Sequence, residues 1–199
     1  SGIALNQAGT RAYVANVTAQ SVTVLDTATN TQIGTVTVGS QPIGITVSPT
    51  GAYVYVANYV SGTVSVIETT GLTVVATVTV GASPRGIAIN PAGTRVYVAN
   101  ETGGTVSVID TATNFVTATI SGTNPSFVAV NGAGTKLYVA DGGSDNLLVI
   151  DTATNTQVGA VPVGVTAFGV AVNAAGTIAY VPNLSSNTVS VIDLSTLTV

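Results

Sequence analysis

The sequence predicts an all-β fold: a β-propeller of about five four-stranded blades, the last of them incomplete. Three observations carry that expectation. A tyrosine recurs at Tyr13, Tyr55, Tyr97, Tyr138 and Tyr180, at intervals of 42, 42, 41 and 42 residues. Gly9, Gly51, Gly93, Gly134 and Gly176 keep the same intervals, and so do the acids Asp26, Glu68, Asp110, Asp151 and Asp193. Between these marks the chain is rich in Val, Ile, Thr and Tyr, with no helical period anywhere. A fixed period of about 40 residues signals a repeat architecture, in which one unit cannot bury its faces alone and must stack on its neighbours.

The third unit shows the four elements in order. Gly86-Ile-Ala-Ile-Asn90 is a first strand of small residues, suited to the crowded axis. Pro91-Ala-Gly-Thr94 is a turn, with Gly93 free to take positive φ. Arg95-Val-Tyr-Val-Ala99 is a second strand and Thr105-Val-Ser-Val-Ile109 a third. Asp110-Thr-Ala-Thr-Asn114 reverses the chain, and Phe115-Val-Thr-Ala-Thr-Ile120 is the fourth. Four antiparallel strands per ~42 residues make one propeller blade. The second and third strands are nearly apolar on both sides, as expected of strands covered by blades front and back. A right-handed parallel β-helix is the alternative fold, although its coils are usually shorter than this period. The blades are expected at 2–43, 44–85, 86–126, 127–168 and 169–199, forming a single domain. One residue is missing between Asp110 and Phe127, and the fifth blade holds three strands and the beginning of a fourth. Either five blades close with a frayed edge, or the ring is open and something else completes it.

Composition then excludes functions. The 199 residues include 4 basic and 8 acidic ones, for a net charge of −4, and 46% are hydrophobic. So few cations argue against a nucleic-acid partner, because phosphate binding runs on clustered Lys and Arg. No His and no Cys are present. Imidazole and thiolate ligation of zinc, copper or haem is therefore closed, as are Ser-His-Asp and Cys-nucleophile catalysis. No apolar run is long enough to span a membrane. The chain lacks a signal peptide and an initiating Met, so it reads as a mature protein or as the ordered part of a longer one.

The motif Tyr-Val-Ala-Asn stands at 13–16, 55–58 and 97–100, with the variants Tyr-Val-Ala-Asp at 138–141 and Tyr-Val-Pro-Asn at 180–183. Together with Val-Ile-Asp-Thr-Ala-Thr-Asn at 108–114 and 149–155, this resembles the YVTN family of β-propeller repeats along the whole chain. The resemblance implies a prokaryotic, often archaeal, secreted or cell-surface protein, frequently of seven blades. At this period seven blades need roughly 290 residues, so the chain departs from that count. The resemblance does not imply one activity.

Candidate sites are few. The five repeated acids look like a carboxylate ring, but an Asp ahead of Thr-Ala-Thr-Asn is expected to cap its own turn. Asp141 and Asp145, with two glycines between them, are the candidate Ca²⁺ ligands, since hard cations take oxygen donors on a flexible loop. Arg11, Arg95 and Lys136 share a repeat position and read as solubilising charge. Arg85, with its counterparts Ile43, Ser126 and Phe168, is expected to ring the axial mouth, where a guanidinium suits a carboxylate or phosphate. Asn16, Asn100 and Asn183 stand in N-x-Ser/Thr sequons, expected in a shared exposed loop. No catalytic residue and no cofactor are expected. The favoured function is a non-enzymatic extracellular or cell-surface scaffold for structure, adhesion or protein interaction, self-associating or binding a surface partner, with filament or surface-array assembly as its extension. Glycans are a second class of partner. The alternative is a ligand-binding or lactonase- or lyase-like propeller working at its axial mouth, chemistries that lean on groups scarce here.

Overall fold

The computed structural model describes residues 2–199, and among these there are nineteen strands and no helix. The first blade is β1 (Ile3–Leu5), β2 (Arg11–Asn16), β3 (Ser21–Asp26) and β4 (Thr31–Thr37). The second is β5 (Pro42–Val47), β6 (Tyr53–Asn58), β7 (Thr63–Glu68) and β8 (Thr73–Thr79). The third is β9 (Pro84–Ile89), β10 (Arg95–Asn100), β11 (Thr105–Asp110) and β12 (Phe115–Ser121). The fourth is β13 (Pro125–Val130), β14 (Lys136–Asp141), β15 (Asn146–Asp151) and β16 (Thr156–Pro162). The fifth is β17 (Ala171–Val172), β18 (Ile178–Asn183) and β19 (Thr188–Asp193), followed by an isolated bridge between Asp193 and Thr198. Each blade is an antiparallel meander in chain order, and no strand ladder crosses from one sheet to another.

The repeated turns explain the repeated residues. Asp26 accepts the backbone N–H groups of Ala28 and Thr29 and the Thr29 hydroxyl through one oxygen, Oδ1. Asp110, Asp151 and Asp193 do the same in their blades, and Glu68 caps Thr70 and Gly71 with two oxygens. The turn closes on a left-handed residue, Asn30, Asn114 or Asn155, at φ of 56°, 58° and 56°. Asn tolerates that region better than most side chains, and the extra residue produces the bulge seen beside each of these turns.

Four apolar cores lie between consecutive blades rather than within any blade. Tyr13, Val22 and Val24 of the first blade pack on Val54, Val56 and Ile67 of the second, and the pattern repeats down the stack. Each blade therefore has two faces, one carrying the repeat Tyr toward its successor and one turned toward its predecessor, with Val-x-Val or Leu-x-Val and an Ile in the second to fourth blades and Ala179, Val181 and Ile192 in the fifth. Arg11 and Arg95 belong to these joints and are not merely solubilising. The Arg11 Nη1 donates to the Thr69 carbonyl at 3.0 Å, and the Arg95 Nη1 to the Thr152 carbonyl at 2.5 Å, each reaching into the next blade. Lys136 instead pairs with Asp151 of its own blade, Nζ to Oδ2, at 3.0 Å.

The end blades lack a cover on one side. Tyr180, Val189 and Val191 are 43%, 58% and 49% exposed, whereas Tyr13, Tyr55, Tyr97 and Tyr138 are nearly fully buried. At the other end Ile3 and Leu5 stand exposed, and Val14 and Leu25 are only half-buried. Among the described residues, the outward faces of the first and fifth blades are thus apolar and exposed.

Candidate functional site

The innermost strands of the first four blades and Phe168, ahead of β17, converge on an axial cavity of about 390 Å³, walled by Ile3, Ile43, Arg85, Ile87, Phe127 and Phe168. Small residues bring these strands so close. A Cβ on Gly44 would overlap the Arg85 carbonyl oxygen, and one on Gly86 would sit 2.7 Å from the Ser126 carbonyl oxygen. Among the described residues, Arg85 is the sole charged side chain in the wall. Its Nε donates to Glu101 Oε2 at 2.8 Å, and its guanidinium lies 5.2 Å from the Tyr59 ring centroid and 5.0 Å from that of Phe168. Paired and stacked in this way, the cation is oriented and partly neutralised, with its Nη nitrogens without acceptors among the described residues.

Three of the four expected mouth residues, Ile43, Arg85 and Phe168, are there. The fourth is corrected. Ser126 is buried beside the cavity, and its hydroxyl donates to the Ala167 carbonyl at 3.1 Å. Phe127 takes its place, meeting Phe168 edge-on with centroids 5.5 Å apart. The sequence did carry a signal: Phe127 occupies the repeat position held by Gly2, Gly44, Gly86 and Gly169. An aromatic side chain where the other blades have none must project into the space they leave.

Asp141 and Asp145 do not form a cation cradle. Asp141 is buried, and it accepts the N–H groups of Thr123 and Asn124 at 2.8 Å each and of Gly143 at 3.1 Å. Asp145 accepts the Thr166 N–H at 2.7 Å, from a different loop. Both carboxylates thus face N–H donors, which oppose a cation, and the described residues hold no group of three or more candidate ligands. The missing residue accounts for Asp141. The shortening falls at Ser121-Gly122, where Val38, Val80 and Val163 have no counterpart, and the shortened loop turns two N–H groups inward. In the other blades the equivalent Asn donates to two hydroxyls, as Asn58 does to Thr63 and Ser65. Here those partners have become Asn146 and Leu148, and a pure acceptor replaces the amide.

The sequon asparagines are also corrected, because they end strands instead of lying in an exposed loop. Asn100 and Asn183 are 0% and 2% exposed, and their Nδ2 atoms donate to paired hydroxyls between the blades. Asn16 makes the same bonds to Ser21 and Thr23 and is half-buried, on the face that no blade covers. Access to Nδ2 of Asn100 or Asn183 requires the blades to separate.

Each of the repeated acids is held below its ordinary value. The Thr29 backbone N–H holds Asp26 below the ordinary value, as Thr113 does for Asp110 and Gly71 for Glu68. Lys136 brings Asp151 down to about 2, and the Ser195 hydroxyl lowers Asp193. A carboxyl so depressed is a permanent acceptor at neutral pH, a poor proton donor for acid catalysis.

Comparison with known proteins agrees with the fold. The family described as "Lactonase, 7-bladed beta-propeller" matches residues 1–76, the first two blades less the end of the second. A search of curated proteins finds no match. Among solved structures, the chain is similar to one described as Kuenenia stuttgartiensis hydrazine synthase, with a TM-score of 0.77 and 22% identity over 97% of this chain and 76% of that one. At that identity the likeness is one of fold. The chain is a β-propeller.

Proposed function

We propose that the protein is a non-enzymatic scaffold of the cell surface or extracellular space that associates through its terminal blades. The observation that carries this reading is the pair of bare faces. Tyr180, Val189 and Val191 repeat, residue for residue, the set that is covered in every other blade, yet they stand open. Apolar area of this kind gains on the order of 25 cal/mol for each Å² removed from water, and the net charge of −4 offers little electrostatic protection against association. The outward face of the first blade carries Val14 and Leu25 where the second carries Val56 and Ile67, with Ala12 in the place of Val54, so a second copy stacked head to tail continues packing of the kind used four times. Such a heterologous contact propagates into filaments unless it closes into a ring. The depressed carboxyls, all capping turns, support a non-catalytic role, and the YVTN-type repeats support the surface location.

The test is light scattering with electron microscopy over a concentration series, on the native chain and on Val189→Glu/Val191→Glu. Concentration-dependent head-to-tail species in the native chain, lost in the charged variant at unchanged β-sheet signal, are expected. A native chain that stays monomeric at millimolar concentration overturns the proposal.

The axial cavity favours a second reading, the binding of a small anion with an apolar body. Its support is Arg85, oriented by Glu101 between two rings and facing a space walled by Phe127 and Ile43. Calorimetry with aromatic and aliphatic carboxylates, native against Arg85→Gln, separates it from the scaffold reading, because neither end face is touched.

A further inference from the structure

The joints between blades are not equivalent, and the difference exposes a vacancy in the pattern. In the first and third blades the second strand begins with an arginine, Arg11 or Arg95, which lies opposite an acid of its own blade and donates to a carbonyl of the next. The fourth blade has Lys136 opposite Asp151. In the second blade that position is Tyr53, opposite Glu68, and among the described residues no cation forms an ion pair with this acid. The carbonyl of Thr111, equivalent to the acceptors Thr69 and Thr152, receives no donor among the described residues.

A cavity of about 230 Å³ lies at this joint, walled by Tyr53, Tyr55 and Val66 on one side and by Thr111 and Asn114 on the other. Asn114 Oδ1 is shielded from solvent and has no hydrogen-bond partner, as is its counterpart Asn155 Oδ1 at the joint where Arg95 reaches Thr152. A buried acceptor left unpaired costs about 1–3 kcal/mol in general terms, a cost that a donor entering the cavity relieves. The walls combine aromatic rings with polar surface, and Thr111 and Asn114 each bring an acceptor oxygen to the joint. Tyr55 lines the cavity with its ring available to a cation, and burial, reinforced by Tyr53, pushes its phenol up to about 12.

We propose that the cavity between the second and third blades is a binding site for a small molecule bearing an alkylguanidinium group, the chemistry that the chain itself supplies at the equivalent joints through Arg11 and Arg95. The planar fork donates to the Thr111 carbonyl, as Arg95 does to that of Thr152, its plane lies against the tyrosines, and Glu68 stands opposite Tyr53 in the strand pair beside it. The alkyl stem runs along Val66 toward solvent. A guanidinium fits better than an ammonium because Arg11 and Arg95 reach the carbonyl of the next blade, whereas Lys136 turns to Asp151 of its own.

Thermal melting with propylguanidinium as the probe tests this, with butanamide as the uncharged control. Native protein should show a saturable rise in Tm, roughly 3–6 °C at ten times the Kd, with no response to butanamide. Tyr53→Arg restores the residue of the first and third blades and fills the cavity from within. It should start from a higher Tm and lose the response to the probe. Tyr53→Lys, the choice of the fourth blade, should weaken probe binding at least tenfold by pairing with Glu68. An equal response in native protein and both variants places the probe elsewhere and overturns the assignment. So does the absence of any response in native protein at tens of millimolar probe.

Discussion

Single residues here have jobs that depend on where the neighbouring blade sits. Asp141 illustrates this. Replacing it with Asn keeps size and shape but turns one acceptor into a donor facing an N–H group. Asp141→Asn is therefore expected to cost about 1.5–3 kcal/mol in chemical unfolding, although it restores the residue of every other blade. Gly44 illustrates close approach. Its φ is ordinary, but an added Cβ collides with the backbone of the adjacent innermost strand, which cannot move aside as a side chain could. Gly44→Ala is expected to cost about 2–3 kcal/mol and to widen the axial cavity, readable as a lower denaturation midpoint. Neither position is unusual in a motif scan, since Asp141 reads as a motif variant and Gly44 as one of many glycines. Their roles lie in contacts with loops and strands about 18 or 41 residues away.

At the level of strands and turns the sequence was easiest to read. Period-two runs of Val, Ile and Thr mark the strands, the acid and Asn mark the outer turn, and both are local signals that need no knowledge of the fold. What stayed hidden were contacts that cross a joint. Arg11 and Thr69 are 58 residues apart, Arg95 and Thr152 are 57 apart, and nothing in either segment announces the other. The sequons failed for the same reason: a triplet says nothing of the blade that will cover its Asn. The capped turns carry their own prediction. The acids have folded-state pKa values below their unfolded values of about 4, so their contribution is fully present above that pH and is lost as pH falls. Melting temperature is expected to be flat down to about pH 5 and to decline from about pH 4 to pH 2, the value to which Lys136 brings Asp151. Asp151→Asn should show a shallower decline, while a native profile flat to pH 2 contradicts the assignment.

Across the whole molecule, stability is a sum of joints. Each of the four cores belongs to two blades, so no blade is stable on its own account, and the first and fifth have one joint where the others have two. The five blades, their order and the unfinished fifth were legible from the period alone. The open stack was not, because closure depends on the angle between blades, which no residue pattern encodes. Amide exchange should accordingly be fastest in β1 and β17, slower in the fourth and second blades, and slowest in β10 and β11 of the third.

Because the hydrogen-bond ladders stop at every joint, the chain also has a mechanical grain. Tension applied at its two ends loads one joint at a time in shear between apolar faces, then unzips a single meander before the next feels the full force. The protein should pay out like a row of buckled folds, lengthening by about 14 nm per blade in a force–extension trace. A surface polymer assembled from such units would absorb a pull by surrendering one blade and re-forming it afterwards, and would not snap as a single rigid body does.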